Sequence, residues 1–399
     1  MRAVRKIEVA ERRARLARRH RLAPGHRADD VVQAAESMVC LHGTDPATVY
    51  LSAWARVEGM SAPDLERALY VDRSLVKHLA MRRTLFVFPR ESLGFAQAGA
   101  SNRVADIERR RLVQDVEKAG LHQDAGRWLA EAGDQVLSAL SDGREATSSE
   151  LRDEIPSLEG SITYGEGKSW GGQVAVGPRV LTTLSASGHI VRASNDGAWT
   201  TSRPRWALIS SWLGKEISPQ PEEEGVARLV EGWLRVFGPG TAADIKWWLG
   251  STVAAVRRAL AALGAVEVEL DGQTGYLLGD DLEATDPVEP WASLLPPLDP
   301  TTMGWFEREW YLGDYKAQLF DTTGNAGPTA WWDGRIVGGW RQGDSDSGEV
   351  LLQMLEDVGE EGLRALEHEA ARLTEWLGGT RVLPRFPSPL SKAVAGEGR

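Results

Sequence analysis

The sequence predicts an α+β chain of tandem winged-helix domains followed by a C-terminal β-rich layer. Three observations lead there. An order of helices followed by a strand returns along the chain, cap and stop residues mark its junctions, and the last quarter changes to an Asp-Gly hairpin with strands.

Residues 1–29 form a basic arm, read either as phosphate-contacting or as a solvated, partly disordered tail. Asp29-Asp30 then caps a helix with apolar residues at helical spacing. A polar turn holding His42, Thr44 and Asp45-Pro46 separates it from a second helix that runs through Trp54. Ser61-Ala-Pro-Asp opens the next helix, and Asp72 or Ser74 can cap a short one to Met81. Thr84-Leu-Phe-Val-Phe-Pro89 reads as a strand. This is the order of a winged helix, with the segment 72–81 as its DNA-reading helix.

The order returns twice. Thr147-Ser-Ser-Glu caps a helix, Gly160–Trp170 reads as a glycine-containing hairpin insertion, and a helix over Gln173–Ser187 leads to strands around His189–Ala193 and Ala198–Thr201. Then Gly225–Phe237, Thr241–Leu249 and Ser251–Leu263 read as helices, with strands Val266–Leu270 and Gly275–Leu278 across Asp271-Gly272. Gly238-Pro-Gly-Thr and Gly250-Ser punctuate this last group. Beyond an Asp- and Pro-rich loop, Trp331–Arg341 is a hairpin turning at Asp333-Gly334. Val350–Leu355 is a strand, Glu360–Leu377 a covering helix and Arg381–Leu383 a last strand. The implied domains are 1–29, 30–145, 146–220, 221–283 and 284–399.

Composition narrows the function. An apolar fraction of 42% and a charged fraction of 26% are ordinary for a globular protein. A single Cys excludes an internal disulfide and a cysteine zinc cluster, and seven scattered His give no ligand spacing, so neither metal nor cofactor is expected. No apolar run reaches the length of a membrane span. A cytoplasmic protein is expected, without a membrane partner. The net charge of −11 rules out a uniformly basic nucleic-acid surface. Yet residues 1–29 hold ten basic against three acidic residues, a balance of +7 that leaves −18 for the remainder. Any DNA footprint must be local.

Each candidate residue has a bland reading beside the functional one. His42 and Thr44 can hold a water, and Asp45 can orient the imidazole or offset developing charge. Equally, His42 can be a hydrogen-bonded structural histidine and Asp45 a helix cap. Arg73, Lys77, His78, Arg82 and Arg83 carry no acid among them and can meet phosphates or base edges, or simply form a solvated face. Tyr164, Lys168 and Trp170 can enter a groove from the hairpin, although a Trp at a hairpin base more often packs. Arg257 and Arg258 lie where the third unit would present a basic face.

These residues resemble the AlkZ-like (YcaQ-like) winged-helix DNA glycosylase family over nearly the whole chain from about Leu22. The resemblance rests on Leu41-x-x-x-Asp-Pro with Arg56 beyond it, on Arg83-Thr-Leu-Phe-Val-Phe-Pro89, on Leu294-Leu-Pro-Pro-Leu-Asp299, and on Gly324-Asn-Ala-Gly-Pro-Thr with the later Asp-Gly-Arg-Ile-Val-Gly-Gly-Trp340. It implies a C-shaped array of winged helices around a DNA-sized channel, and removal of alkylated or bulky-adduct purines from double-stranded DNA. It also implies a nucleoid-associated monomer. The family motif is Gln-x-Gln, or a variant with Asp second; His42 and Thr44 hold those two places here.

The resemblance thus points to catalysis at His42 and Thr44, with Asp45 beside them as the third candidate, and DNA contacts are expected from Arg56 and the candidate residues named above. No Lys lies in the motif, so a lyase step is not expected. Two other readings stay open: a non-catalytic winged-helix DNA-binding protein or regulator, and a protein-interaction scaffold.

Overall fold

The computed structural model describes residues 4–164, 172–343 and 348–393. The fold is mixed α+β and forms two compact units. One gathers the chain up to Leu75, Phe86–Pro89 and everything from Ala227 on; the other holds Val76–Leu85 and Arg90–Val226. Among the described residues no helix is long and apolar enough to cross a membrane.

One element order occurs three times: helix, two-residue strand, helix, helix, strand, strand. It runs first through Val31–Glu36, Leu41–His42, Pro46–Trp54, Ala62–Glu66 with the π-helical turn Arg67–Val71, Leu75–Ala80 and Thr84–Pro89. It runs again through Ala125–Ala139, Ala146–Thr147, Ser148–Glu154, Gly177–Ala186, Ile190–Asn195 and Pro204–Leu208. The third run is Glu222–Phe237, Gly240–Thr241, Ala242–Leu249, Val253–Ala262, Val266–Leu270 and Gln273–Leu277. In each, the two-residue strand pairs antiparallel with the last strand.

Local chemistry explains these boundaries. Thr147 and Thr241 each cap the following helix through a reciprocal capping box, with Glu150 and Asp244 respectively. Gly250 ends the Ala242–Leu249 helix in the left-handed conformation at φ 62°. The core of the second run packs Trp128, Leu129, Val136, Leu151, Val180, Leu181 and Trp206.

Four expectations are corrected. Residues 75–80 form a strand, not a helix, because Val76, His78 and Ala80 are buried while Lys77 and Leu79 on the alternate side are only partly so. Gly172–Ala175 is the second strand of the inserted hairpin, paired with Ser161–Tyr164, so the helix begins only at Gly177. The strand expected at 198–201 lies at Pro204–Leu208. No strand forms at 381–383; an irregular segment leads to the short helix Pro389–Ala393.

The basic arm is folded rather than solvated. Arg5–Lys6 pairs parallel with Val268–Glu269, and Val9–Arg19 is a helix with Arg12 and Arg15 buried. Arg15 and Arg19 both meet Asp281, at 2.9 and 2.6 Å, and Arg12 stacks over Trp310 at 4.2 Å. Part of the arm's charge is therefore met internally, by Glu8, Glu11 and Asp281. The C-terminal layer is a sheet of Ala292–Leu295, Thr329–Trp332, Arg335–Gln342 and Val350–Met354 in that spatial order, packed against the Gly359–Leu377 helix. Its central hairpin turns at Asp333 and Gly334, both at positive φ, as the Asp-Gly pair predicted.

Candidate functional site

The His42–Asp45 loop is where the first run departs from the other two. In those, the last strand residue, Thr147 or Thr241, is itself the helix cap. His42 holds the matching register position: it lies opposite Phe86 as Thr147 lies opposite Arg205 and Thr241 opposite Gly275. The cap, however, has moved on to Asp45, whose side chain accepts from the Ala47 amide at 3.2 Å. Gly43, Thr44 and Asp45 are the extra residues. His42 is thereby excused from capping.

The His42 ring is 7% exposed and packs edge-on against Phe86 at 5.4 Å between centroids. The Thr44 amide points to its Nδ1 at 3.5 Å, too long to fix the tautomer. Thr44 itself is half-buried. Asp45 is buried, and its second oxygen accepts from the Arg385 amide at 3.1 Å, while the Arg385 guanidinium donates to the Thr44 carbonyl at 3.3 Å. Burial raises the Asp45 carboxyl above its usual value, partly offset by the amide bonds from Arg385 and Ala47. Asp45 therefore holds the loop between the helix it caps and the C-terminal segment.

Arg385 was not anticipated. It lies some 340 residues from the loop, in a proline-rich stretch without periodicity, and no local signal marks it.

Arg56, expected at DNA, is instead wholly enclosed. Its side chain is 0% exposed and forms a bidentate pair with the equally buried Asp299, at 2.9 and 2.8 Å. It also donates to the Ser52 carbonyl and the Thr301 hydroxyl. Leu294–Asp299, one of the segments that carried the resemblance, thus ends in the partner of a core ion pair. His20 adjoins it through Thr301, 2.9 Å from Nδ1; burial first, then the Arg56 charge, push His20 down to about 3.

The other expected DNA contacts divide between the units. In the first unit, Arg73 is half-buried at φ 55°, and Arg257 and Arg258 are exposed on the Val253–Ala262 helix. In the second, Arg82 and Arg83 are exposed at φ 53° and 61° in the tight turn after the Leu75–Ala80 strand, and Arg83 meets buried Glu108 at 2.8 Å. Lys77 is largely buried on that strand; burial and then the charge of Arg192 bring it down to about 8. His78 is 1% exposed and faces the interior, where burial lowers it to about 4, so it does not reach a surface.

Tyr164 is committed as well. Its hydroxyl donates to Asp115 at 2.7 Å and accepts from Arg179, which itself pairs with Asp115 at 2.9 Å, so it anchors the far end of the Ser161–Tyr164 strand. Lys168 and Trp170 lie outside the described residues. Among the described residues no group of three or more His, Cys, Asp or Glu is placed to hold a metal.

Comparison with known proteins gives one match of each of two kinds. No curated protein sequence matches the chain. A solved structure does: the Streptomyces sahachiroi DNA glycosylase AlkZ superposes with a TM-score of 0.72 at 21% identity, over 95% of this chain and 99% of that one. The sequence model of a family described as "DNA glycosylase AlkZ-like" matches residues 35–376, a span that takes in the loop, all but the first residues of the three runs, the C-terminal sheet and nearly all of its helix. The chain belongs to the AlkZ-like DNA glycosylase family.

Proposed function

We propose that this protein is a monofunctional DNA glycosylase that hydrolyses the N-glycosidic bond of alkylated or bulky-adduct purines in double-stranded DNA. The threefold element order supports reading the array as tandem winged helices. Observations at the loop support the catalytic assignment. Only the first of the three runs extends its strand-to-helix junction, and the two family motif positions flank and enter that extension, His42 just before it and Thr44 within it.

The chemistry asks little of the protein. An N7- or N3-alkylated purine is already cationic and leaves readily, so the enzyme needs to place a water and tolerate oxocarbenium-like charge. His42 accepts a proton from that water as a neutral imidazole, and the Thr44 hydroxyl holds it. Asp45 positions the loop and adds negative charge close to it. The motif offers no amine for a Schiff base, so the product is an abasic site with an intact strand. The damaged nucleotide is extracted from the helix, or a bulky adduct is hydrolysed without full extrusion. The protein acts as a monomer in the nucleoid-associated cytoplasm, and unhooking of crosslinks falls within the same chemistry.

DNA contacts fall to exposed cations: Arg82 in the tight turn, and Arg257 and Arg258 on their helix. The test is incubation with duplex DNA carrying N7-methylguanine or a bulky purine adduct, scored for abasic sites. Release that depends on His42 supports the reading. Binding without release from any of a broad adduct panel identifies a non-catalytic winged-helix DNA-binding protein instead.

A further inference from the structure

A concavity lies in the C-terminal part of the first unit, with a volume of about 360 Å³, within the size range of small-molecule sites. Trp340, Pro297 and Leu383 are among its apolar walls, and its polar rim carries Arg341, Arg381 and Lys392. Among the described residues that line it there is no Asp or Glu. That imbalance stands out in a chain whose net charge is −11. Each wall also has a reason to hold its shape. The Trp340 indole N–H is tied to the Leu295 carbonyl at 2.8 Å, and the Pro297 carbonyl accepts from Thr48 at 2.8 Å.

Among the described residues, two of the cations are oriented by backbone carbonyls. Arg341 donates to the Gln342 carbonyl at 3.2 Å and Arg381 to the Gly343 carbonyl. These contacts direct the guanidinium groups without neutralising them. Leu383, 86% exposed, is the most exposed large apolar side chain among the described residues. A large apolar residue left open beside cations has the character of a binding surface rather than of packing.

We propose that this concavity binds an organic anion with a planar apolar body, of the class of aromatic sulfonates, carboxylates and phosphates. The ring system lies against Trp340 and Leu383, and the anionic group is met by Arg381, Lys392 and Arg341. The site is separate from the His42–Asp45 loop and does not depend on the glycosylase reading. The two are nonetheless neighbours in sequence: Pro384 lines the concavity, and the next residue, Arg385, holds the loop.

Titration of the full chain with anilinonaphthalene sulfonate, followed by fluorescence, tests this, with the neutral N-phenylnaphthylamine as control. One saturable site is expected for the anion. The double variant R381Q/K392Q, which changes exposed side chains, should weaken it by about tenfold or more while leaving the neutral probe unchanged. L383E, which adds a negative charge at the wall, should weaken the anion likewise. Circular dichroism and thermal melting verify that each variant is folded. Absence of a saturable site, anion affinity unchanged in the double variant, or equal loss for both probes would each overturn the proposal.

Discussion

The guanidinium of Arg56 and the carboxylate of Asp299 meet completely buried, and every lone-pair site of the carboxylate is filled. Oδ1 accepts from Arg56 Nη2 and the Thr301 amide; Oδ2 accepts from Arg56 Nη1 and the Ser52 hydroxyl. Burial works against ionisation of Asp299, but the Arg56 charge and these donors outweigh it and hold the carboxyl below its usual value. The pair joins the helix that follows the candidate loop, Pro46–Trp54, to the segment leading out of the C-terminal sheet. A residue expected at DNA proves to be a fastening beneath the site.

Removing one partner of such a pair strands the other charge. Arg56→Ala and Asp299→Ala should each cost about 3–5 kcal/mol of stability. Urea denaturation of each variant checks this. Full stability in Arg56→Ala, together with weakened DNA binding, would return Arg56 to the interface.

The histidine beside the pair gives a pH dependence. Thr301 accepts from Arg56, so its own proton can go to His20 Nδ1, which leaves His20 neutral with Nε2–H facing the Val236 carbonyl. The folded value, about 3, lies below the ordinary 6.5, and the unfolded chain therefore binds the extra proton. Stability is complete above pH 6.5 and falls as the pH drops toward 3, by about 1.4 kcal/mol per pH unit from this group. His78, lowered to about 4, acts in the same direction. Denaturant midpoints at pH 7, 6 and 5 should decline in wild type and decline less in His20→Gln. An equal slope in both would remove His20 from the account.

Asp45→Asn separates two roles. Asn retains the cap on Pro46–Trp54 through its carbonyl oxygen, but the NH2 that replaces Oδ2 cannot accept from the Arg385 N–H. If Asp45 mainly holds the loop, base release should fall by less than about tenfold and stability by about 1 kcal/mol. A loss of about a hundredfold or more at unchanged stability would make its charge part of the chemistry.

Arg385→Ala tests the tether on the same loop. The exposed guanidinium contributes little to global stability, so the melting temperature should hold. The rate constant for base release should fall about tenfold through looser placement of Thr44, with DNA affinity changed less. A drop confined to affinity would make Arg385 a phosphate contact.

What could be read from the sequence follows from how local each signal is. The third run was legible because Thr241, Asp244 and Gly250 announce its helix ends within a few residues. The strand Leu75–Ala80 was misread because Asp72 and Ser74 look like caps, and no glycine marks the turn that Arg82 and Arg83 make at positive φ. Pro204 hid the strand it begins, a position a strand tolerates because the first residue can forgo an amide. The basic arm looked solvated because its partners, Asp281 and Trp310, lie hundreds of residues away. The loop was found from its residue types, but its defining feature, a junction longer than in the other two runs, emerges only when the strand registers are compared.

His42 carries the central claim. The most direct measurement is the single-turnover rate of N7-methylguanine release from duplex DNA by wild type and His42→Ala, with DNA affinity measured alongside. The account predicts release by wild type and a loss of about a hundredfold in the variant, with affinity retained. Release at an unchanged rate in His42→Ala would contradict it.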